Sequence, residues 1–187
     1  MSPIFRRLSL AVASALLAGS AGAANAGSID QRFFGHWTGT GTVTDYRDDM
    51  PRVMDRQMEV DIRKVGLSGF EVLNSLMTTT SDLGMRVTAE PSGATAVHQI
   101  FKPVGTTGRW AAQKDCTDLS KQKGCGWAHV VGNSLVIDVV LVDAKGTETL
   151  LSTKRQLTDD GIKVTFRRIS DGDLSRVVEG TLQKQTP

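Results

Sequence analysis

Cysteine, histidine and tyrosine are scarce in this chain: its 187 residues hold two Cys, three His and one Tyr, and aromatic residues make up only 5%. Cys116 and Cys125, nine positions apart, lack the C-x-x-C spacing of a redox pair. No run of about 18 apolar residues occurs, so no helical membrane span is expected. A Gly-x-Ser-x-Gly elbow, a His-Glu-x-x-His pair, a phosphate loop and a dinucleotide fingerprint are all missing. No catalytic residue, cofactor or metal is therefore assigned, and an enzyme is the last of the readings considered. The formal charge is only +2, too little for a nucleic-acid binder, which needs surplus Lys and Arg to replace phosphate counterions.

What is present begins with an export signal. Arg6 and Arg7 precede the apolar run 8–18 and a stretch of small residues, with a cleavage pattern after Ala24-Asn25-Ala26 and a second site at Ala21-Gly22-Ala23. Cleavage of residues 1–26 leaves 27–187 as a single domain. It also removes two of the 22 basic side chains and none of the 20 acidic ones, so the mature chain is formally neutral. The expected location is the bacterial periplasm or outside the cell, in soluble form. In that oxidising setting two thiols on one loop pair, so Cys116 and Cys125 are expected to form a disulfide. A loop this short would be stabilised by about 2–3 kcal/mol. It would carry Lys114, Lys121 and Lys123 as a lid.

The mature chain reads as strands. Apolar residues recur with period two and turn residues interrupt them every 8–14 positions, which indicates an all-β antiparallel barrel or sandwich with little helix. In 37–45, threonines at 38, 40, 42 and 44 alternate with Trp37, Gly39, Gly41 and Val43. Further strands are expected at 52–64, 69–77, 85–89, 96–102 and 125–131. Four more follow at 135–142, 148–157, 162–169 and 174–182. The last four are joined by Asp- and Gly-rich links that suit tight hairpins, so they form an up-and-down meander.

The segment Phe33-Phe34-Gly35-His36-Trp37 resembles the Gly-x-Trp signature that opens the first strand of lipocalins and fatty-acid-binding proteins, the calycin superfamily. The resemblance implies an up-and-down barrel of roughly 8–10 strands. Trp37 would plug one end and the turn at Gly35 would seal it. It further implies storage, transport or sensing of a small amphipathic molecule, such as a lipid or fatty acid, in the interior. Fatty-acid-binding barrels place arginine near the ligand carboxylate, which directs attention to the basic residues here.

Four arginines fall on apolar parity. Arg168 follows Ile162, Val164 and Phe166; Arg176 lies between Leu174 and Val178; Arg155 continues Leu151 and Thr153; Arg56 lies between Met54 and Met58. A buried unpaired charge is prohibitive, so such residues must meet carboxylates, water or a ligand anion. Arg155, Arg168, Arg176 and Arg56 are accordingly the candidate ligand-binding residues, because the guanidinium fork grips an oxyanion with two parallel bonds. His36 takes the parity opposite Trp37, so the three histidines are not expected to converge on a metal. Met50, Met54 and Met58 would suit copper(I) on a helix, but the alternation around them makes a strand with packed methionines.

A different class of function also fits. In Leu135–Val142, Val136, Val140 and Val142 are apolar on the face opposite Leu135, Ile137, Val139 and Leu141. Two apolar faces need a cover, which points to an envelope-associated or inhibitor-like interaction module with a filled barrel, contacting a partner or a second copy through this strand.

Overall fold

The alternation of threonines with Trp37, Gly39, Gly41 and Val43 becomes an eleven-residue strand, and it is the seam at which the sheet closes. The computed structural model describes residues 28–47, 49–78, 97–105, 108–112, 125–143 and 145–186. Ten strands run in order: β1 (Gly35–Asp45), β2 (Arg52–Val65), β3 (Gly69–Thr78), β4 (Val97–Pro103) and β5 (Arg109–Ala112), then β6 (Cys125–Val131), β7 (Ser134–Val142), β8 (Glu148–Leu157), β9 (Ile162–Ser170) and β10 (Asp173–Lys184). Each pairs antiparallel with its sequence neighbours, and β1 pairs with β10 as well as β2, so the sheet is a closed up-and-down barrel. One 3₁₀ turn, Gln31–Phe33, is the helix among the described residues.

One strand was not legible in the sequence. Arg109–Ala112 falls in a polar region that reads as loop, yet it forms β5, pairing through three positions with each neighbour. Four residues with one bulky apolar side chain, Trp110, are too few to show a period of two. The strand expected at 85–89 lies outside the described residues.

Inward parity is set by burial. Trp37, Val43, Val60, Ile62, Phe70, Val72, Phe101, Leu135, Ile137, Ile162, Val164 and Leu182 form one core. Gly39 and Gly41 lie inward on β1 at the seam. A Cβ at Gly39 would collide with the Thr181 carbonyl oxygen, and one at Gly41 would stand 2.5 Å from the Met58 sulfur. Their lack of side chains lets β1 and β10 approach while the Met58 thioether fills the vacated space.

The two ends of the barrel differ. At one, Phe33 and Trp37 are buried, and the Trp37 indole N–H donates to the Phe33 carbonyl at 2.9 Å, fastening the 3₁₀ turn under the strands. The Lys184 ammonium lies 5.5 Å from the Trp37 ring centroid. Phe70 stacks on Phe101 with centroids 5.0 Å apart and meets Trp110 edge-on at 5.6 Å, adding to the same seal. At the other end the inner residues Met54, Leu141, Leu151 and Phe166 are only partly buried. This is the open end, where β1, β3, β5, β7 and β9 finish.

Replacing Trp37 with Ala removes the plug and the hydrogen bond that holds the turn. Urea unfolding should show a loss of about 3–5 kcal/mol; a loss under 1 kcal/mol would show that the closed end does not depend on it.

Candidate functional site

The inward parity of β8 runs Thr149, Leu151, Thr153, Arg155, Leu157, and so places a guanidinium one inward residue short of the closed end. Arg155 is 2% exposed. Its Nη2 donates to the Asn74 side-chain oxygen at 2.5 Å. Asn74 belongs to β3, on the opposite side of the strand order, so the Arg155 side chain spans the lumen as a strut. Its Nε and Nη1 are buried with no hydrogen-bond partner among the described residues. Burial alone pushes its pKa down to about 10, which still leaves the group charged at neutral pH.

Nearer the open end, Arg168 on β9 stands directly opposite Arg176 on β10. Like charges in register repel, and a third group must compensate them. Asp45, the last residue of β1, is opposite Arg176 and accepts from its Nη2 at 2.6 Å. The same carboxylate accepts two bonds from the Arg47 side chain, Nε at 2.8 Å and Nη2 at 2.6 Å. The Arg47 bonds, followed by those from Arg176, outweigh burial and hold the Asp45 carboxyl far below the usual aspartate range.

Arg56 on β2 completes the group. Its Nη2 points at the Met54 sulfur, 2.9 Å away, and its Nη1 is buried without an acceptor. The Nε atoms of Arg168 and Arg176 are likewise buried and unmatched. Among the described strand residues, four inward guanidinium groups thus share a single inward carboxylate. All four arginines singled out in the sequence lie on the inner side. Asp45 and Asn74 were missed there, although each continues an apolar parity, Asp45 that of Trp37 to Val43 and Asn74 that of Phe70 and Val72.

The other sequence candidates lie elsewhere. Trp37 and Gly35 belong to the closed end, and a Cβ at Gly35 would touch the Lys184 side chain. Cys125 opens β6 at the open end; Cys116, Lys114, Lys121 and Lys123 lie outside the described residues. The three histidines sit on separate strands. His98 pairs with Glu71 at 3.0 Å, while His36 lies 3.3 Å from Asp61 and 3.7 Å from Glu59 on the outer wall. The ligand atoms of His36, Glu59 and Asp61 are all within 4.8 Å of one another, a set able to hold a divalent cation, though Arg63 also approaches Asp61 at 3.4 Å. Met54 and Met58 lie in a strand and face inward, while Met50 is exposed.

Two pockets lie away from the arginines. One, about 460 Å³, lies beside β5 and β6 and is lined by Trp110, Trp127 and His129 among others. The other, about 370 Å³, is lined by Asp61, Arg63, Glu71, Leu73 and His98. Neither includes any of the four inward arginines. The unmatched buried donors are the better guide to a site, because an open groove imposes no energetic demand for a ligand and an unsatisfied buried charge does.

No protein-family model and no curated protein matches the chain. Among solved structures, Rv2717c from M. tuberculosis is similar at 13% identity, over 83% of this chain and 94% of that one, with a TM-score of 0.52. A mutant of the fluorescent protein UnaG is 14% identical, over 83% and 98%, with a TM-score of 0.44. The likeness to Rv2717c is one of fold.

Asp45→Asn removes the one inward carboxylate among the described strand residues and should lower stability at pH 7 by about 2–3 kcal/mol. A carboxyl whose pKa is depressed by folding stabilises above its unfolded value, here the ordinary 3.8, and the benefit fades as pH falls through the folded value. In urea titrations the gap between wild type and Asp45→Asn should therefore stay constant from pH 7 to 5 and shrink below pH 4; a gap independent of pH would contradict this. Arg155→Met trades an uncompensated buried charge for an apolar stem of similar length. It should leave stability unchanged or raise it by about 1–3 kcal/mol in the same assay.

Proposed function

We propose that this chain is an exported, calycin-like barrel that binds a small amphipathic anion, such as a lipid or fatty acid, inside its open half. The observation that carries the reading is the set of buried guanidinium N–H groups with no acceptor: Nε and Nη1 of Arg155, Nε of Arg168 and Arg176, and Nη1 of Arg56. Each unmatched donor costs about 1–3 kcal/mol or more, so evolution of a fold that served only as a scaffold would favour apolar residues there. An anion entering the open end would supply the missing acceptors.

The lumen is two-sided in a way that suits an amphiphile. Leu141, Leu151 and Phe166 offer apolar surface from β7, β8 and β9, while Arg168, Arg176 and Arg56 offer charge from β9, β10 and β2. The signal-like residues 1–26 support export and cleavage, leaving 27–187 as one soluble domain in the periplasm or medium. Export supports a Cys116–Cys125 disulfide in turn, which would tether the segment entering β6 at the open end.

A second reading, an interaction module with a filled barrel, draws on two observations. The closed half is solid with side chains, and Trp127, on the outer wall next to Asp138 of β7, is 41% exposed, with Val136, Val140 and Val142 half-buried on the same face. A partner or second copy would cover that face.

Titration of the purified protein with a dansyl-labelled fatty acid separates the two. Binding with a blue-shifted emission is expected, and the double variant Arg168→Leu/Arg176→Leu should weaken it by about 100-fold or more, as two charge-assisted contacts are lost. Unchanged affinity in the variant would sink the anion-binding reading, and no binding with a stable dimer in native mass spectrometry would favour the module.

A further inference from the structure

We infer that the head group taken by this barrel carries at least two negative charges on one compact centre, as a phosphate monoester or diphosphate does, rather than the single charge of a carboxylate. The inference rests on the anion-binding reading above and narrows it to a ligand class.

The first support is the charge count. Among the described strand residues, Arg56, Arg155, Arg168 and Arg176 face inward against Asp45 alone, and Asp45 is already held by Arg47 as well as Arg176. A fatty acid would cancel one of the remaining positive charges and leave the others, buried Arg155 or its part-exposed neighbours, without a counter-charge. Buried charge left uncompensated is more costly than any neutral unmatched donor, so a monoanion completes the site poorly.

The second support is where the donors come from. Arg168 and Arg176 are in register on adjacent strands, and Arg56 comes from the far side of β1, where Gly41 stands opposite it without a side chain. Arg155 rises from below, at 2% exposure, with two N–H groups unmatched. One planar carboxylate has two oxygens and is served by one guanidinium fork. A tetrahedral phosphoryl group has three terminal oxygens pointing in different directions, and matches forks that approach from several walls.

The third support is depth. Arg155 lies one inward residue from the closed end, which is packed with Trp37, Ile62, Phe70, Ile162 and Leu182, so the strut rests against the plug. A long acyl tail has no room beneath it. The charged centre therefore sits above Arg155, and the apolar part of the ligand lies beside it against Leu151 and Phe166 and leaves through the open end. Arg155 thereby gains the acceptor that its Nε and Nη1 lack.

The test is calorimetric titration of the purified, full-length exported protein with three probes that share one tail: dodecyl phosphate, dodecanoate and dodecanol. Dodecyl phosphate should bind at least about tenfold more tightly than dodecanoate, and dodecanol weakest of all. Arg168→Gln and, separately, Arg56→Gln should each narrow the phosphate-to-carboxylate ratio while leaving dodecanol unchanged, which a merely misfolded variant would not do. Equal affinity for phosphate and carboxylate overturns the inference and leaves the anion-binding reading standing. Dodecanol binding as tightly as both, or no binding by any probe, overturns the two together.

Discussion

A guanidinium group cannot rest in an apolar lumen without an acceptor, and the organisation of this barrel follows from where that rule is met and where it is not. Arg155 reaches from β8 to Asn74 on β3 and satisfies one of its nitrogens there. The other two find no acceptor among the described residues. The strut stands between the plugged end and the rest of the lumen, where buried Val43, Met58, Val139 and Val178 share the inner wall with part-exposed Arg56, Arg168 and Arg176.

The division is maintained by devices on both sides of it. Beneath, the indole of Trp37 is tied to the Phe33 carbonyl, and Phe70, Phe101 and Trp110 pack in stacked and edge-on contacts, so the strut rests on a rigid base. Above, Asp45 gathers Arg47 and Arg176, fixing the last residue of β1 to β10 and to the start of the following loop. That one carboxylate keeps the closest pair of inward arginines from repelling the hairpin apart. It neutralises one positive charge, so among the described strand residues the inner wall keeps a surplus of guanidinium groups over carboxylates.

The seam explains how a sheet of ten strands closes around these groups. Gly39, Gly41 and Gly180 remove side chains where β1 meets β10, and the carbonyls of the partner strand occupy the space that a Cβ would need. Close approach there leaves one flexible side chain, Met58, over the glycines, and keeps bulk away from Arg56, which is opposite Gly41. Thus the residues that permit closure also clear the lumen beside a charged group.

Much of this was legible in residues alone. Period-two alternation set nearly every strand to within a residue or two, the Gly-x-Trp segment marked the closed end, and four arginines on apolar parity marked the inner wall. Parity suffices for that because a strand has only two faces, and one of them must be apolar. What sequence alone could not decide is which inward groups meet. Asn74 and Arg155 are 81 positions apart, and Asp45 and Arg176 are 131 apart, so no local pattern links them. Strand β5 escaped because four residues carry too little periodicity. Facing directions were written in the chain, but the barrel's closure brought β8 across from β3 and β1 beside β10. Only that three-dimensional step made one guanidinium a strut between β8 and β3 and one carboxylate a clasp between β1 and β10.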